Sequence, residues 1–171
     1  TFPAAAPMHL AVLGGHIQAV EMMINAGATV LIGDGSGRTP LHIAAMFRDT
    51  AMASLLLLHG ARIDATDRDL VTPLYYAAFN SRTNMAVLLL DHGADVDNFN
   101  FREHGVYRRF YENALYETAL YTAWVRDDEQ MIRVLLDYGA DTERFGRIPD
   151  GNGHISFTAL SLQKVNDAKA G

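Results

Sequence analysis

The sequence contains no cysteine, and it has no long apolar run. The lack of cysteine excludes disulfide frameworks, thiolate nucleophiles and cysteine-based metal sites, and it favours an intracellular location, cytoplasmic or nuclear. The longest apolar candidate runs from Leu55 to Leu58 and ends at His59, far short of the roughly 20 residues that a membrane-spanning helix needs. We therefore expect no membrane anchor.

Lysine is also scarce, since only Lys164 and Lys169 occur and the net charge is -6. A surface that binds nucleic acid normally carries a basic stripe, so the composition disfavours nucleic acid as a partner. The 171 residues, of which 49% are hydrophobic, predict one domain. The start, residues 1–6, lacks an initiator methionine and the features of a signal peptide. We interpret it as a cut edge, consistent with a piece of a larger multidomain chain.

Patterns typical of catalysis or metal binding are weak. The glycine run at 33–37 is not followed by the Gly-Lys-Ser/Thr of a phosphate loop, and no serine lies in a nucleophile elbow. His59 and His92 occupy equivalent positions in neighbouring units, but helices packed roughly 8 to 10 Å apart hold such side chains too far apart for easy shared ligation. We predict no catalytic residue, no cofactor and no metal site, which favours a function other than catalysis.

Two markers recur at a fixed spacing along the chain. The Gly-Ala pairs begin at Gly27, Gly60, Gly93 and Gly139, and the prolines are Pro7, Pro40 and Pro73. The spacing is 33 except before the last Gly-Ala pair, where 46 residues indicate an insertion of 13. A Thr-Ala-Leu triplet at 118–120 replaces Thr-Pro-Leu in the fourth unit, and another at 158–160 predicts a partial fifth unit.

Each unit reads as two short antiparallel helices. Thr39 can cap the first helix, Pro40 suits its first position, and Gly60 can close the second helix in a left-handed conformation. One such hairpin cannot bury its apolar faces alone, whereas stacked neighbours can. The sequence therefore predicts an all-α solenoid of stacked hairpins.

Residues 37–45, with the pattern Gly-Arg-Thr-Pro-Leu-His-Ile-Ala-Ala, resemble the helix-opening motif of the ankyrin repeat family, and 14–16 and 93–97 resemble its bend and closing turn. The resemblance covers about residues 4–166. It implies a single domain over 1–171, with an insertion at 98–112, and it makes His9 and His42 structural hydrogen-bonding groups. The implied repeats are four full ones at about 4–33, 34–66, 67–97 and 113–145 and a partial fifth at 153–171. Departures are Leu70 in place of the turn glycine, Tyr75 in place of histidine and the missing proline in the fourth repeat.

The resemblance also implies that another protein binds to the concave face, at the turn tips and the exposed ends of the first helices. We expect Phe47 and Phe79 to lie side by side there as central anchors, since exposed neighbouring aromatics are not explained by solubility. The alternative is that both rings pack under the adjacent insertion or turns. The matching positions in this sequence are Arg38, Met46, Phe47, Arg68, Asp69, Val71, Phe79, Asn80, Glu117, Val125 and Arg126.

The insertion is the second candidate region, because it is dense in aromatic and arginine residues, the types that anchor interfaces. We expect Tyr107, Arg108, Arg109 and Tyr111 to contact the partner. Alternatively the insertion folds back and buries its rings on the stack, or it stacks RNA bases, which the acidic net charge disfavours.

Two rival functions remain open at this point. The chain could be a small-ligand-binding protein or an enzyme whose pocket is roofed by residues 98–117, with His104, Tyr107, Arg109 and Tyr111 as polar groups. It could also be a spacer arm inside a larger protein. Repeat stacks serve many functions, so the fold alone does not decide between them.

Overall fold

The structure, a computed structural model, describes residues 6–47, 50–101 and 116–142. Within these ranges the chain forms eight α-helices in four antiparallel hairpins. The helices are α1 (Pro7–Leu13), α2 (Ile17–Asn25), α3 (Pro40–Met46), α4 (Thr50–Leu58), α5 (Pro73–Phe79), α6 (Thr83–Asp91), α7 (Ala119–Val125) and α8 (Glu129–Asp137). The predicted hairpins are confirmed for these four units, while the partial fifth repeat at 153–171 lies outside the described residues.

The first helix of each hairpin begins where the local sequence favours it. Proline occupies the first position of α1, α3 and α5, where its missing N–H has no partner to lose. Helix α7 has no proline, but the hydroxyl of Thr118 accepts the backbone N–H of Tyr121 at 3.1 Å. Thr72 caps α5 in the same way through the N–H of Tyr75, at 3.3 Å. A threonine cap is therefore enough to start the fourth hairpin without proline.

The bends between the two helices of a hairpin need a left-handed residue. Gly15 supplies it in the first hairpin, with φ +68°, while Ser81 and Asp127 adopt φ +53° and +57° in the third and fourth. The turn before α5 shows the same substitution, because Leu70 has φ +59° where Gly37 has +82° before α3. The departure at Leu70 therefore keeps the turn geometry, at the steric cost of a side chain in this region.

The hairpins stack side by side, so that α1, α3, α5 and α7 form one layer and α4, α6 and α8 another, while α2 packs on α1. The core repeats with the sequence, because equivalent positions of successive hairpins are all buried. These are Leu41, Leu74 and Leu120 in the first helices, and Met52, Met85 and Met131 with Leu56, Leu89 and Leu135 in the second helices. Each such side chain contributes about 2 kcal/mol through burial, and most of that burial requires a neighbouring hairpin.

Hydrogen bonds across the hairpin boundaries add to this packing. Nε2 of His9 binds the carbonyl oxygen of Arg38 at 2.8 Å, and Nε2 of His42 binds that of Val71 at 3.0 Å. Both histidines are buried, so the expectation that they are structural hydrogen-bonding groups is confirmed. Asp64 likewise accepts the backbone N–H of Asp95 in the next hairpin, at 3.1 Å.

The described part of the chain is helical as predicted, apart from one short pair of strands. Strands β1 (Phe99–Phe101) and β2 (Tyr116–Thr118) pair in antiparallel register, with Phe99 opposite Thr118 and Phe101 opposite Tyr116. They flank residues 102–115, which we call the finger. The two ends of an insertion must leave and re-enter the stack at neighbouring points, and pairing satisfies their backbone N–H and C=O groups. No helix in the described part of the chain is long and apolar enough to cross a membrane.

Candidate partner-binding surface

The turns that precede α3 and α5 are built around a buried or nearly buried aspartate. We call residues 34–39 and 67–72 the tip loops. In the first, Oδ1 of Asp34 accepts the backbone N–H groups of Ser36 and Arg38 at 2.8 and 3.0 Å. Its Oδ2 accepts Nε and Nη2 of Arg38 at 3.0 and 2.7 Å. The Arg38 guanidinium is therefore held against its own tip loop.

Electrostatics in the first tip loop favour the charged form of Asp34. Burial raises the pKa of this carboxyl group, but the Arg38 side chain and the backbone N–H groups of Ser36 and Arg38 outweigh burial, and the net pKa lies below the ordinary value of 3.8. The ion pair therefore persists at neutral pH. Arg38 was predicted to contact the partner, but its side chain is only 14% exposed because it is paired with Asp34.

In the second tip loop, a tyrosine hydroxyl takes the place of the arginine guanidinium as the side-chain partner of the buried aspartate. Oδ1 of Asp67 accepts the N–H groups of Asp69 and Val71, both at 2.9 Å, and its Oδ2 accepts the hydroxyl of Tyr76 at 2.8 Å. Arg68 is exposed, and its backbone N–H donates to the carbonyl oxygen of Ser36 at 3.0 Å. The two tip loops therefore form a connected row that presents Arg68 to solvent.

The β1–β2 pair continues this row. Strand β2 leads directly into α7, just as residues 70–72 lead into α5 and 37–39 lead into α3. The strand pair therefore takes the place that a third tip loop would have in this row. Tyr107, Arg108, Arg109 and Tyr111, which were predicted to bind the partner, belong to the finger and lie outside the described residues.

A second feature lies at the other end of the first helices, about 10 Å along a seven-residue helix. The last residue of each first helix is apolar, and it is exposed or half-buried in all four hairpins. We call this set, together with the exposed Phe47, the apolar row. Its members are Leu13, Met46, Phe47, Phe79 and Val125.

The aromatic members of the apolar row are open to solvent, with Phe47 45% exposed and Phe79 37% exposed. Phe79 stacks on Tyr75 with ring centroids 6.2 Å apart and an interplanar angle of 19°. On the neighbouring hairpin, the guanidinium carbon of Arg126 lies 4.7 Å from the Phe79 ring centroid. This cation–π contact between hairpins places a positive charge against an exposed ring.

The remaining predicted positions differ in accessibility. Val71 was expected on the exposed face, but it is buried, because its carbonyl faces His42 of the preceding hairpin and its N–H faces Asp67. Asn80 is half-buried and its amide donates to the carbonyl oxygen of Tyr76 at 2.8 Å. Asp69 is half-buried in the second tip loop. Glu117 belongs to β2, and its side chain lies outside the described residues.

Sequence reasoning missed Leu13 as a member of this surface and Tyr75 as the buried ring that supports Phe79. Leu13 precedes Met46 by 33 residues, and Met46 precedes Phe79 by 33, so the repeat spacing itself could have identified the apolar row. The support of Phe79 by Tyr75 follows from their separation of four residues on one helix, which places both rings on the same face. The contact with Arg126 carries no comparable local signal.

A polar cleft of about 370 Å³ opens next to Met46 of the apolar row, at the starts of the second helices. Arg82 lies in its wall and donates through Nε to the carbonyl oxygen of Met46 at 3.2 Å. The cleft lies at the opposite end of the first helices from β1 and β2, away from the base of the finger. Its lining residues are Thr50, Ser81, Arg82, Thr83, Asn84, Met85 and Gln130.

The comparison with protein families agrees with this geometry. A family model described as ankyrin repeats, in three copies, matches residues 8–100, which is more than half of the chain. The chain therefore belongs to the ankyrin repeat family, whose repeats generally serve as protein–protein interaction modules. The matched residues cover the first three hairpins except Pro7 at the start of α1, and α7 and α8 follow them. No curated protein matches the sequence.

Proposed function

We propose that this chain binds another protein through the concave surface formed by the tip loops, the apolar row and the finger. The observation that carries the proposal is the exposure of Phe47, Phe79 and Val125 in one row, with Arg126 held over Phe79. Aromatic rings and arginine are the residues that most often dominate binding energy at protein interfaces. An exposed row of this kind is costly unless a partner covers it.

The positions of the charged residues support an acidic segment as the bound element. Arg126 stands over the apolar row, and Arg68 is exposed in the tip loops at the other end of the first helices. A partner that spans both would place apolar side chains against Phe47 and Phe79 and carboxylates near the two arginines. Steering by these arginines would make association faster at low ionic strength.

Strands β1 and β2 lie at the third place in the row of tips and adjoin both ends of the finger, which supports a role for the finger in this surface. We propose that Tyr107, Arg108, Arg109 and Tyr111 contact the same partner, with Met46, Asp69 and Asn80 as flanking contacts. Arg38 orders its tip loop through the ion pair with Asp34, and the exposed part of its side chain contacts the partner. We further propose that α7 and α8 form a fourth repeat of a single domain and that residues 153–171 contribute a partial fifth.

The apolar row can be tested once a binding protein has been isolated with the chain and purified. Phe79→Ala should weaken the affinity by about tenfold or more, because loss of an anchoring ring costs at least about 1.4 kcal/mol. Phe47→Ala should weaken it as well, and Arg126→Met should reduce its dependence on salt. Isothermal titration calorimetry gives the dissociation constants, and circular dichroism checks that helical content is unchanged.

Leu58→Ala is the matched control, since Leu58 is 81% exposed but lies at the end of α4, outside the apolar row. Its affinity should equal that of the wild type. Equal affinities for the wild type and for the Phe47→Ala, Phe79→Ala double variant would show that the partner binds elsewhere.

The finger can be tested without disturbing the stack. Residues 102–115 are replaced by Asn-Gly, which joins the paired residues Phe101 and Tyr116 through a two-residue hairpin turn. The proposal predicts weaker partner binding with an unchanged melting temperature. A thermal-shift screen of the intact chain against metabolites addresses the small-ligand rival, because a ligand bound tightly under the finger would raise the melting temperature.

A further inference from the structure

The first hairpin exposes apolar residues at positions where the later hairpins bury them. Leu10 of α1 is 55% exposed, whereas Ile43, its equivalent 33 residues later, is 1% exposed. Pro7 is likewise exposed, while its equivalent Pro40 is buried. The same position is therefore solvent-facing only in the hairpin that has no described neighbour before it.

The second helix of this hairpin shows the same difference. Met22 is 72% exposed, whereas its equivalent Leu55 is half-buried. Met23 is half-buried, but its equivalent Leu56 is fully buried at 0%. We call this surface the leading face of the first hairpin. It comprises Pro7, Leu10, Ala19, Met22 and Met23.

The preceding hairpin is what covers these positions elsewhere in the stack. Tyr76 occupies the position of Leu10 in the third hairpin, and its ring meets the ring of His42 in the second hairpin edge-on, with centroids 5.9 Å apart. Helix α3 packs against α1 as α5 packs against α3 and α7 against α5. The leading face therefore corresponds to the surface through which each later hairpin packs against the hairpin before it.

The first hairpin also has too few charged residues for the terminal unit of a repeat stack. Terminal units of a repeat stack need a polar outer face to remain soluble. Between Pro7 and Gly33, however, Glu21 is the only charged residue. The side chains that this end presents to solvent include Leu10 and Met22 rather than a charged set.

We propose that the leading face binds a further ankyrin-type hairpin, which precedes Thr1 in the same polypeptide. A preceding hairpin supplies the partner surface that already covers Ile43 and Tyr76. The inference concerns packing between repeats and does not depend on the proposed partner surface.

The test extends the full chain with a second copy of its own residues 34–66, placed directly before Thr1. This keeps the 33-residue spacing, because Thr1 then follows residue 66 as Asp67 does. The extended chain should melt roughly 5 °C higher than the original. Hydrogen exchange at the α1 amides should slow by more than about tenfold, as expected for a helix that gains a packed neighbour.

The variants Leu10→Glu and Met22→Glu identify the surface responsible. In the original chain, each substitution should leave the melting temperature within about 2 °C of the wild-type value, since substitutions at exposed positions have small effects. In the extended chain both should abolish the gain and restore fast exchange in α1. Leu58→Glu is the matched control, because Leu58 is exposed but lies outside the leading face, and it should leave the gain intact.

Three results would overturn the proposal. The extension could leave α1 exchange and melting temperature unchanged, or its gain could survive both glutamate substitutions. Sedimentation could also show that the original chain forms a dimer that Leu10→Glu dissociates, which would make a second copy the occupant of this face.

Discussion

Nε2–H of His42 donates a hydrogen bond to the carbonyl oxygen of Val71 at 3.0 Å, across the boundary between the second and third hairpins. The other ring nitrogen, Nδ1, accepts the backbone N–H of Thr39 at 3.0 Å. Because Nδ1 accepts and a carbonyl can only accept, the ring must be neutral with its proton on Nε2. One buried imidazole therefore holds the start of α3 and the second tip loop together.

This geometry predicts a loss of stability in mild acid. Burial lowers the pKa of His42 below its ordinary value of 6.5, and the hydrogen bond to Val71 only partly offsets burial. Below about pH 6.5 the unfolded chain therefore binds more protons at this site than the folded chain does, so the free energy of unfolding falls as the pH falls. The slope from this one group is at most about 1.4 kcal/mol per pH unit.

Urea denaturation at pH 7.5, 6.5 and 5.5 measures this effect, with His42→Gln as the comparison. Glutamine keeps a donor and an acceptor but does not titrate in this range. The wild type should lose more stability than the variant between pH 6.5 and 5.5. Parallel curves for the two proteins would contradict the assignment.

The first hairpin lacks the threonine that holds the histidine ring in the second. His9 occupies the position of His42, but residue 6 is alanine where the second hairpin has Thr39, and Nδ1 of His9 has no hydrogen-bond partner among the described residues. Ala6→Thr should supply a hydroxyl to Nδ1 or to the start of α1, and raise the free energy of unfolding by about 1 kcal/mol.

Ala6→Val is the control for this substitution, because it has nearly the same shape as threonine without the hydroxyl. Chemical denaturation should rank Ala6→Thr above both the wild type and Ala6→Val. Equal stability of the two variants would mean that shape rather than hydrogen bonding matters at this position.

The left-handed conformation of Leu70 is a second source of instability that substitution should relieve. A leucine at φ +59° suffers a steric clash of its Cβ with the backbone, which costs roughly 1–2 kcal/mol and is absent in glycine. Leu70 is also exposed, so little burial is lost on truncation. Leu70→Gly should therefore raise the free energy of unfolding by about 1 kcal/mol despite the greater freedom of glycine in the unfolded chain.

Leu70→Ala separates the two effects, since alanine retains Cβ and the associated strain. Thermal denaturation should place Leu70→Ala near the wild type and Leu70→Gly above it. A gain of the same size for both variants would point to the loss of the exposed side chain instead.

The closing turns predict a further stabilising change. Asp64 and Asp97 occupy equivalent positions and accept the backbone N–H groups of Asp95 and Asp141 in the next hairpin, at 3.1 and 2.8 Å. The equivalent residue of the first hairpin is Leu31, which is exposed. Leu31→Asp should accept the N–H of residue 62 and add about 0.5–1 kcal/mol, whereas Leu31→Ala should not. Equal unfolding midpoints in urea for the two variants would refute the added bond.

The sequence was most informative about features that are decided locally. Proline at position 40 and threonine at 72 and 118 fix where first helices begin, and the 33-residue spacing locates the hairpins. Helix α7 begins directly after its capping threonine, although proline is absent there. Each of these signals acts within a few residues of the chain.

The candidate surface was less predictable because its contacts cross hairpins. Arg126 and Phe79 are 47 residues apart, and their contact depends on how α5 and α7 pack. Val71 was expected to be exposed, yet the histidine of the preceding hairpin and Asp67 turn it inward. The pairing of β1 with β2 likewise depends on two segments meeting in space, which the repeat spacing does not encode.

That pairing also has an evolutionary consequence. With Phe101 and Tyr116 held opposite each other, the span that the finger has to bridge is constant whatever its length. Doubling the number of residues in such a loop costs only about 0.6 kcal/mol of closure entropy. New recognition sequences could therefore be inserted at this site, or lost from it, while the register of the helices on either side stays the same.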